Sequence, residues 1–252
     1  MRAPVDGFVA GPFGRLHYLE EGTGAPLILL HGAGSSAYEF EHVIGLLAQH
    51  FRAIAWDMPG HGDSDVLPRH LTVGDYADAL AALASGLDAR PTHLVGTSIG
   101  AVIAAEAAVR NQADVASITL VEMPFRPVCA WVKMWPLVES IFSTPTQTHE
   151  QVAPRFRDLS EADFVRWNID RNKAGGKAMM SAMWALRDHR PDLEAISVPT
   201  LLIYGEKGAV SDGIAAAEVA LPGATRLTMP ECGHFPMIDD PVRFSEIIHG
   251  FA

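Results

Sequence analysis

Short, continuous apolar runs alternate along this chain with longer segments whose apolar positions recur every three or four residues. Residues 13–21, FGRLHYLEE, alternate and predict strands leading from an N-terminal hairpin, closed by Gly22-Thr23-Gly24. Pro26 opens LILL at 27–30, an unbroken run of the kind found in a sheet covered on both faces. Further strands are predicted at 52–56, 93–95, 115–121 (VASITLV), 200–205 (TLLIYG) and 224–229 (ATRLTM). Helical spacing falls between them: at 38–51, through Phe40, Val43, Ile44 and Leu47, and at 73–87, with Thr72 as cap and Asp75 near the start. An alanine-rich helix follows Gly100, another runs from 211 or 212 to 221, and the last is opened by Asp240-Pro241, a capping residue followed by proline at the first helical position. As far as residue 121 the order β-α-β-α-β-α-β implies an α/β class with a parallel sheet and right-handed crossovers.

The character of the chain changes over 122–198. This stretch holds four of the five tryptophans, five of the nine methionines, 10 of the 19 Lys and Arg and 10 of the 30 Asp and Glu, so it is formally neutral and the remainder carries the whole charge of −11. Several helices are suggested: Thr148 with Gln151 and Ser160 with Asp163 have capping-box spacing, and 178–187 looks like a further helix. After it, Pro199 reopens the alternating pattern.

Composition adds limits. The 252 residues, 48% apolar and 19% charged, are those of an ordinary globular protein long enough to bury a substantial core. A charge of −11 without basic runs argues against nucleic acid or an anionic membrane as partner and favours a small neutral substrate. Cys129 and Cys232, the only cysteines, are too few for a disulfide framework and lack zinc-site spacing. With neither an apolar leader core nor a run of 18 apolar residues, the expectation is a soluble, cytoplasmic protein with free thiols.

The chemistry centres on THLVGTSIGAVIAAEAAVR, residues 92–110. A short strand, a G-x-S-x-G turn and an alanine-rich helix are the context of a nucleophile elbow, in which a strained backbone lifts Ser98 above the sheet edge. Gly96 and Gly100 answer a steric need, since side chains two positions either side of Ser98 would collide as the strand doubles back. A serine hydroxyl needs a base, and histidine has the suitable pKa.

Five segments in order resemble the α/β-hydrolase superfamily over nearly the full length: LLHGAG (29–34), WDMPGHGDSD (56–65), GTSIG (96–100), PTLLIYGEK (199–207) and CGHFPMIDDP (232–241). The resemblance implies a mostly parallel sheet flanked by helices, with 1–121 and 199–252 as core and 122–198 as a helical lid inserted between two core strands. It implies Ser98 as nucleophile, His234 as base, and the backbone N–H groups of Ala33 and Ile99 as oxyanion donors. His31 matches a structural histidine, and His61 lies in a loop where the family also carries one. No metal or organic cofactor is implied.

The triad acid departs from the commoner pattern. Many relatives carry aspartate in a G-x-x-D turn after the strand matching TLLIYG; here the turn reads Gly205-Glu206-Lys207-Gly208. Glu122, directly after VASITLV, offers a carboxylate instead, a position used by one group of haloalkane dehalogenases and by zearalenone-type lactonases. Asp212 and Glu206 stay open as alternatives. Serine at 98 excludes the aspartate nucleophile of dehalogenases and epoxide hydrolases, and Ile99 replaces the dehalogenase's halide-binding tryptophan. Cys232 has no elbow of its own. Trp131 and Trp184 are the lid residues expected to line a pocket over Ser98, lid core being the competing role. The activity implied is hydrolysis of a carboxylic ester or lactone of a small, largely apolar substrate. Carbon–carbon cleavage of a dienoic diketone acid, or a ligand sensor without turnover, are the alternatives.

Overall fold

The computed structural model describes residues 4–210 and 213–252. Their strands are β1 (Val5–Gly11), β2 (Gly14–Gly22), β3 (Ala25–Leu30), β4 (Phe51–Trp56), β5 (Thr92–Thr97), β6 (Val115–Val121), β7 (Thr200–Gly205) and β8 (Thr225–Met229), joined in one sheet in the order β1-β2-β4-β3-β5-β6-β7-β8. β1 and β2 are too closely linked to be other than antiparallel, and β2 also pairs antiparallel with β4. From β4 to β8 every pair is parallel, as the alternating order of elements requires. The alternating 13–21 stretch is the second arm of the hairpin rather than both arms.

The continuous apolar strands are explained by layers on both faces. Leu27, Leu29, Ala53, Ala55, Val95, Leu201 and Ile203 point into one buried cluster, and Ile28, Leu30, Ile54, Leu94, Leu120 and Leu202 into the other. Period-two alternation persists, but both sides are apolar.

The helices are α1 (Ile44–Leu47), α2 (Val73–Gly86), α3 (Ile99–Arg110), α4 (Val128–Phe142), α5 (His149–Val152), α6 (Glu161–Asp188), α7 (Ile214–Ala220), α8 (Pro236–Asp239) and α9 (Pro241–Phe251). Thr72 and Asp75 form a reciprocal capping box on α2, Thr148 and Gln151 do so on α5, and Ser160 and Asp240 cap α6 and α9. The helix expected over 38–51 is broken into a 3-10 turn at Ala37–Phe40 and the single turn α1. Polar groups of the segment are bound sideways instead of along an axis: Asp57 Oδ1 accepts from the Ala37 N–H at 2.6 Å, and Glu39 Oε2 from the Gly32 N–H at 3.0 Å. The helix expected at 178–187 is the second half of α6, which bends at Gly175 (φ 66°, ψ 164°). The positions 211 and 212, where the following helix was expected to begin, lie outside the described residues. Among the described residues no helix is long and apolar enough to cross a membrane.

Parallel strands bring the loops after β3, β4, β5, β6, β7 and β8 to one edge of the sheet, where an open α/β fold places its site.

Candidate active site

Ser98 sits between β5 and α3 with φ 55° and ψ −117°, a left-handed conformation that a non-glycine residue adopts only under constraint. The constraint is steric and hydrogen-bonded. A Cβ on Gly96 would run into the Gly100 carbonyl, and one on Gly100 into the Leu30 carbonyl, so both glycines let the chain double back. The Ser98 N–H donates to Val121 O at 2.9 Å, tying the serine to the end of β6. Ser98 remains partly accessible while its neighbours Thr97 and Ile99 are buried.

Glu122 is the next residue along β6. Its N–H donates to Ile203 O at 2.9 Å, and its own φ is 49°. Ser98 and Glu122 are thus two of the four non-glycine residues with positive φ among the described residues. The Glu122 carboxylate is 1% exposed and accepts three hydrogen bonds: Oε1 from the Gly205 N–H at 2.9 Å, and Oε2 from the Ala209 N–H at 3.1 Å and from His234 Nδ1 at 3.0 Å. Oε2 is an acceptor in its ionised form, so this contact assigns the proton to Nδ1 and leaves Nε2 as the basic nitrogen.

The His234 loop is held from the other side. The His234 N–H donates to Arg155 O at 2.7 Å, the Gly233 N–H to Asp239 Oδ2 at 2.6 Å, and the ring stands edge-on to Phe235, 4.9 Å between centroids. Glu206, the exposed alternative acid, accepts instead from the Glu231 N–H at 2.9 Å. Asp212 lies outside the described residues. Gly208, where relatives carry aspartate, has a positive reason to be glycine: a Cβ there would lie inside the Glu122 carboxylate.

The loop after β3 lies against the serine, a Cβ on Gly32 falling 3.6 Å from Ser98 Cβ. Glu39 takes the Gly32 N–H, while the N–H of Ala33 meets no acceptor among the described residues. Ile99 opens α3, so its N–H has no acceptor within the helix. His31 is buried and structural: its Nδ1 contacts Gly32 O at 2.7 Å and its Nε2 accepts from the Met58 N–H at 3.0 Å. His61 is fully buried, and burial together with His31 pushes its pKa down to about 3, so it stays neutral. Burial likewise pushes the Cys232 thiol up to about 11, which disqualifies it as a nucleophile; Cys129 is exposed.

Of the two expected lid tryptophans, Trp184 lies in a groove that Ser98 does not line, while Trp131 is buried in the core cluster that also holds Ala33 and Ile99. Trp131 is 2% exposed within the main core, with the Arg126 guanidinium 5.6 Å over its ring. Trp184 stands edge-on to His70 at 4.4 Å, in an outer groove with Leu71, Thr72 and Arg187 that Ser98 does not line. The reason is that the second half of α6 packs over α2 and α3 and carries Trp184 to the loop before α2. Trp167, in the first half, is the tryptophan at the histidine loop, 5.5 Å from Phe235. Its helical position resembles that of the others, and no sequence signal separated it from them.

Sequence reasoning also passed over Glu39 and Asp170. Both are buried and both line a small cavity between the Gly32 loop and α6, with Ser35, Trp167 and Phe235. Burial pushes Glu39 up to about 7 and Asp170 up to about 6.

A sequence model of the alpha/beta hydrolase family matches residues 27–247. The chain belongs to that family. It is 29% identical to a pimeloyl-[acyl-carrier protein] methyl ester esterase of Vibrio vulnificus, over 94% of this chain and 98% of that one. It is 26% identical to a 2-hydroxy-6-oxo-6-(2'-aminophenyl)hexa-2,4-dienoic acid hydrolase of Metapseudomonas resinovorans, over 99% and 91%. Among solved structures, a bacterial membrane phospholipase A superposes with a TM-score of 0.84 at 26% identity, covering 98% of this chain and 85% of that one. The relatives are thus esterases and related hydrolases, carbon–carbon hydrolases included.

Proposed function

We propose that this chain is a serine hydrolase that cleaves a carboxylic ester or lactone of a small, largely apolar substrate through an acyl-enzyme on Ser98. The observation that carries the reading is the 3.0 Å contact between His234 Nδ1 and Glu122 Oε2 beside a serine in an elbow conformation. Glu122 fixes the tautomer and stabilises the imidazolium; Nε2 takes the Ser98 proton on attack and returns it to the leaving alkoxide. The N–H groups of Ile99 and Ala33 receive the oxyanion, each worth roughly 10²–10³ in rate. A water deprotonated by the same nitrogen then hydrolyses the acyl-enzyme. Residues 122–198 serve as the lid, with Trp167 rather than Trp184 nearest the chemistry.

The dienoic acid hydrolase relative keeps carbon–carbon cleavage as a second reading, since it and the ester hydrolase relative each match over at least nine-tenths of both chains. A fluorophosphonate probe should label Ser98 alone, and labelling should vanish in Ser98→Ala and His234→Ala while circular dichroism is unchanged. Aryl esters, lactones and dienoic diketone acids assayed beside Ser98→Ala decide between the two reactions. Undiminished turnover by Ser98→Ala overturns the mechanism.

A further inference from the structure

Charge is balanced over 122–198 as a whole but not at its inner surface. Arg171, on α6, is completely buried. Its Nη2 donates to Ile141 O at 2.5 Å and Thr144 O at 2.6 Å, and its Nε to Pro145 O at 3.3 Å, which closes the C-terminal end of α4. Nη1 is left over: it is buried and has no acceptor among the described residues. It lies against the loop that carries Ala33, 3.3 Å from where a Cβ on Gly34 would stand.

Arg155 is the second cation. Its carbonyl holds the His234 N–H, and its guanidinium carbon lies 5.2 Å from the centre of the Trp167 ring, with that of Arg171 5.6 Å from the same ring. None of the five N–H donors of Arg155 finds an acceptor, and neither arginine has a carboxylate partner, among the described residues. Burial lowers both guanidinium pKa values, Arg171 to about 10, with Arg155 pushing in the same direction. Arg171 is buried and Arg155 partly exposed; two cations around one indole, repelling each other without a counter-charge, favour an anion between them, most of all at the buried Nη1 of Arg171. The other cations of α6 have partners: Arg166 faces Asp170, Lys173 faces Asp63, Arg187 faces Asp188, and Lys177 donates to Leu67 O at 3.3 Å.

The surroundings fix what kind of anion. A chain of apolar rings links His234 to the two guanidinium groups: His234 stands edge-on to Phe235, Phe235 packs on Phe156 at 4.9 Å and on Trp167 at 5.5 Å, and Trp167 lies under both arginines. A phosphate or sulfate alone would leave that wall unused. A short carbon chain running along it, with its ester carbonyl at Ser98 and a carboxylate at its far end, uses both.

Accordingly we propose that the substrate is a half-ester, or a lactone bearing a free carboxylate, whose carboxylate is received by Arg155 and Arg171, supplying the missing acceptor of Nη1 and displacing solvent from the Arg155 fork. This rests on the serine hydrolase reading and names its substrate class. Planar guanidinium donors suit a carboxylate with two acceptor oxygens, and charge-assisted bonds of this type are the stronger ones.

The test compares the p-nitrophenyl half-ester of glutaric acid with the p-nitrophenyl ester of pentanoic acid, equal in chain length and differing in the terminal carboxylate. The parent should favour the half-ester at least 10-fold in kcat/KM. Arg155→Gln should erase that preference mainly through KM, with Arg155→Lys retaining some of it. Arg171→Gln should act in the same direction, but it also unties the end of α4, so Arg155 carries the argument if that variant melts early. Equal use of the two esters by the parent, with Arg155→Gln affecting both alike, overturns the carboxylate site and leaves the hydrolase standing. Should neither ester be cleaved, the hydrolase reading is at fault, and glutarate itself decides the site. A rise of Tm with glutarate that is lost in Arg155→Gln upholds it, and no rise overturns it.

Discussion

The carboxylate of Glu122 fills the space that any side chain at position 208 would need. Glycine at 208 therefore leaves room for the carboxylate of Glu122, the proposed triad acid, which comes from the end of the neighbouring strand. Gly208→Ala should displace the Glu122 carboxylate and lower kcat by at least 10-fold with little change in KM. Glu122→Gln, which keeps the shape and loses the charge, should fall by about 10⁴. Steady-state kinetics on one aryl ester measures both. Full activity in Gly208→Ala would mean that the acid does not depend on this space.

Glu39 gives the fold a pH signature. Burial raises its pKa in the folded chain to about 7 from the ordinary 4.5. The folded state keeps a proton that the unfolded state releases, so this residue's contribution to stability is greatest below the lower value and declines as pH rises through the upper one. Glu39→Gln keeps an acceptor for the Gly32 N–H and removes the titration. It should be more stable than the parent at pH 8 by on the order of 1–3 kcal/mol, with the gain shrinking toward pH 4.5. Urea melts at several pH values check this, and a gain that does not vary with pH would contradict it.

The two tryptophans of α6 should separate by phenotype. Trp184→Ala, beside His70, should lower Tm and leave the ranking of esters intact. Trp167→Ala, which touches the Phe235 wall and both arginines, should change the ratio of kcat/KM between long and short acyl groups by about 10-fold, or about 1.4 kcal/mol. The reverse pattern would return the substrate wall to the Trp184 groove.

The features legible in the sequence are those governed by local chemistry or by short periods. Apolar runs announced the parallel strands, Thr72, Thr148 and Asp240 announced helix starts, and the glycines around Ser98 announced the elbow. Glu122 could be picked out because it immediately follows a strand and its competitor turn lacked an aspartate. What escaped depends on the angle at which separate elements meet. Glu39 reads as the polar side of a helix until its carboxylate is seen holding the Gly32 N–H. Arg155 and Arg171 are lost in a segment of net zero charge, because counting charges averages over a surface whose inner and outer sides differ. Trp167 and Trp184 are equivalent as letters and are told apart only by which side of the bend in α6 each occupies.

The bend has its own consequence. On a straight helix residues eight apart stand about 12 Å apart along the axis, yet Arg171 Nη1 and Met179 Sδ both press on Gly34, at 3.3 and 2.8 Å from where its Cβ would be. Gly175 lies midway between them, and a Cβ added there would touch nothing. Its neighbour Gly176 is packed on the Ser143 carbonyl, 2.7 Å from where a Cβ would stand, so the bend combines the torsion at 175 with close packing at 176. Alanine at 175 meets no obstacle in space and gains roughly 1 kcal/mol of helical preference, so a single unopposed methyl group tends to straighten α6 and to pull apart the side chains of Arg171 and Met179, which grip the same loop. The hold of α6 on the Gly34 loop thus turns on one pair of dihedral angles, φ 66° and ψ 164° at Gly175.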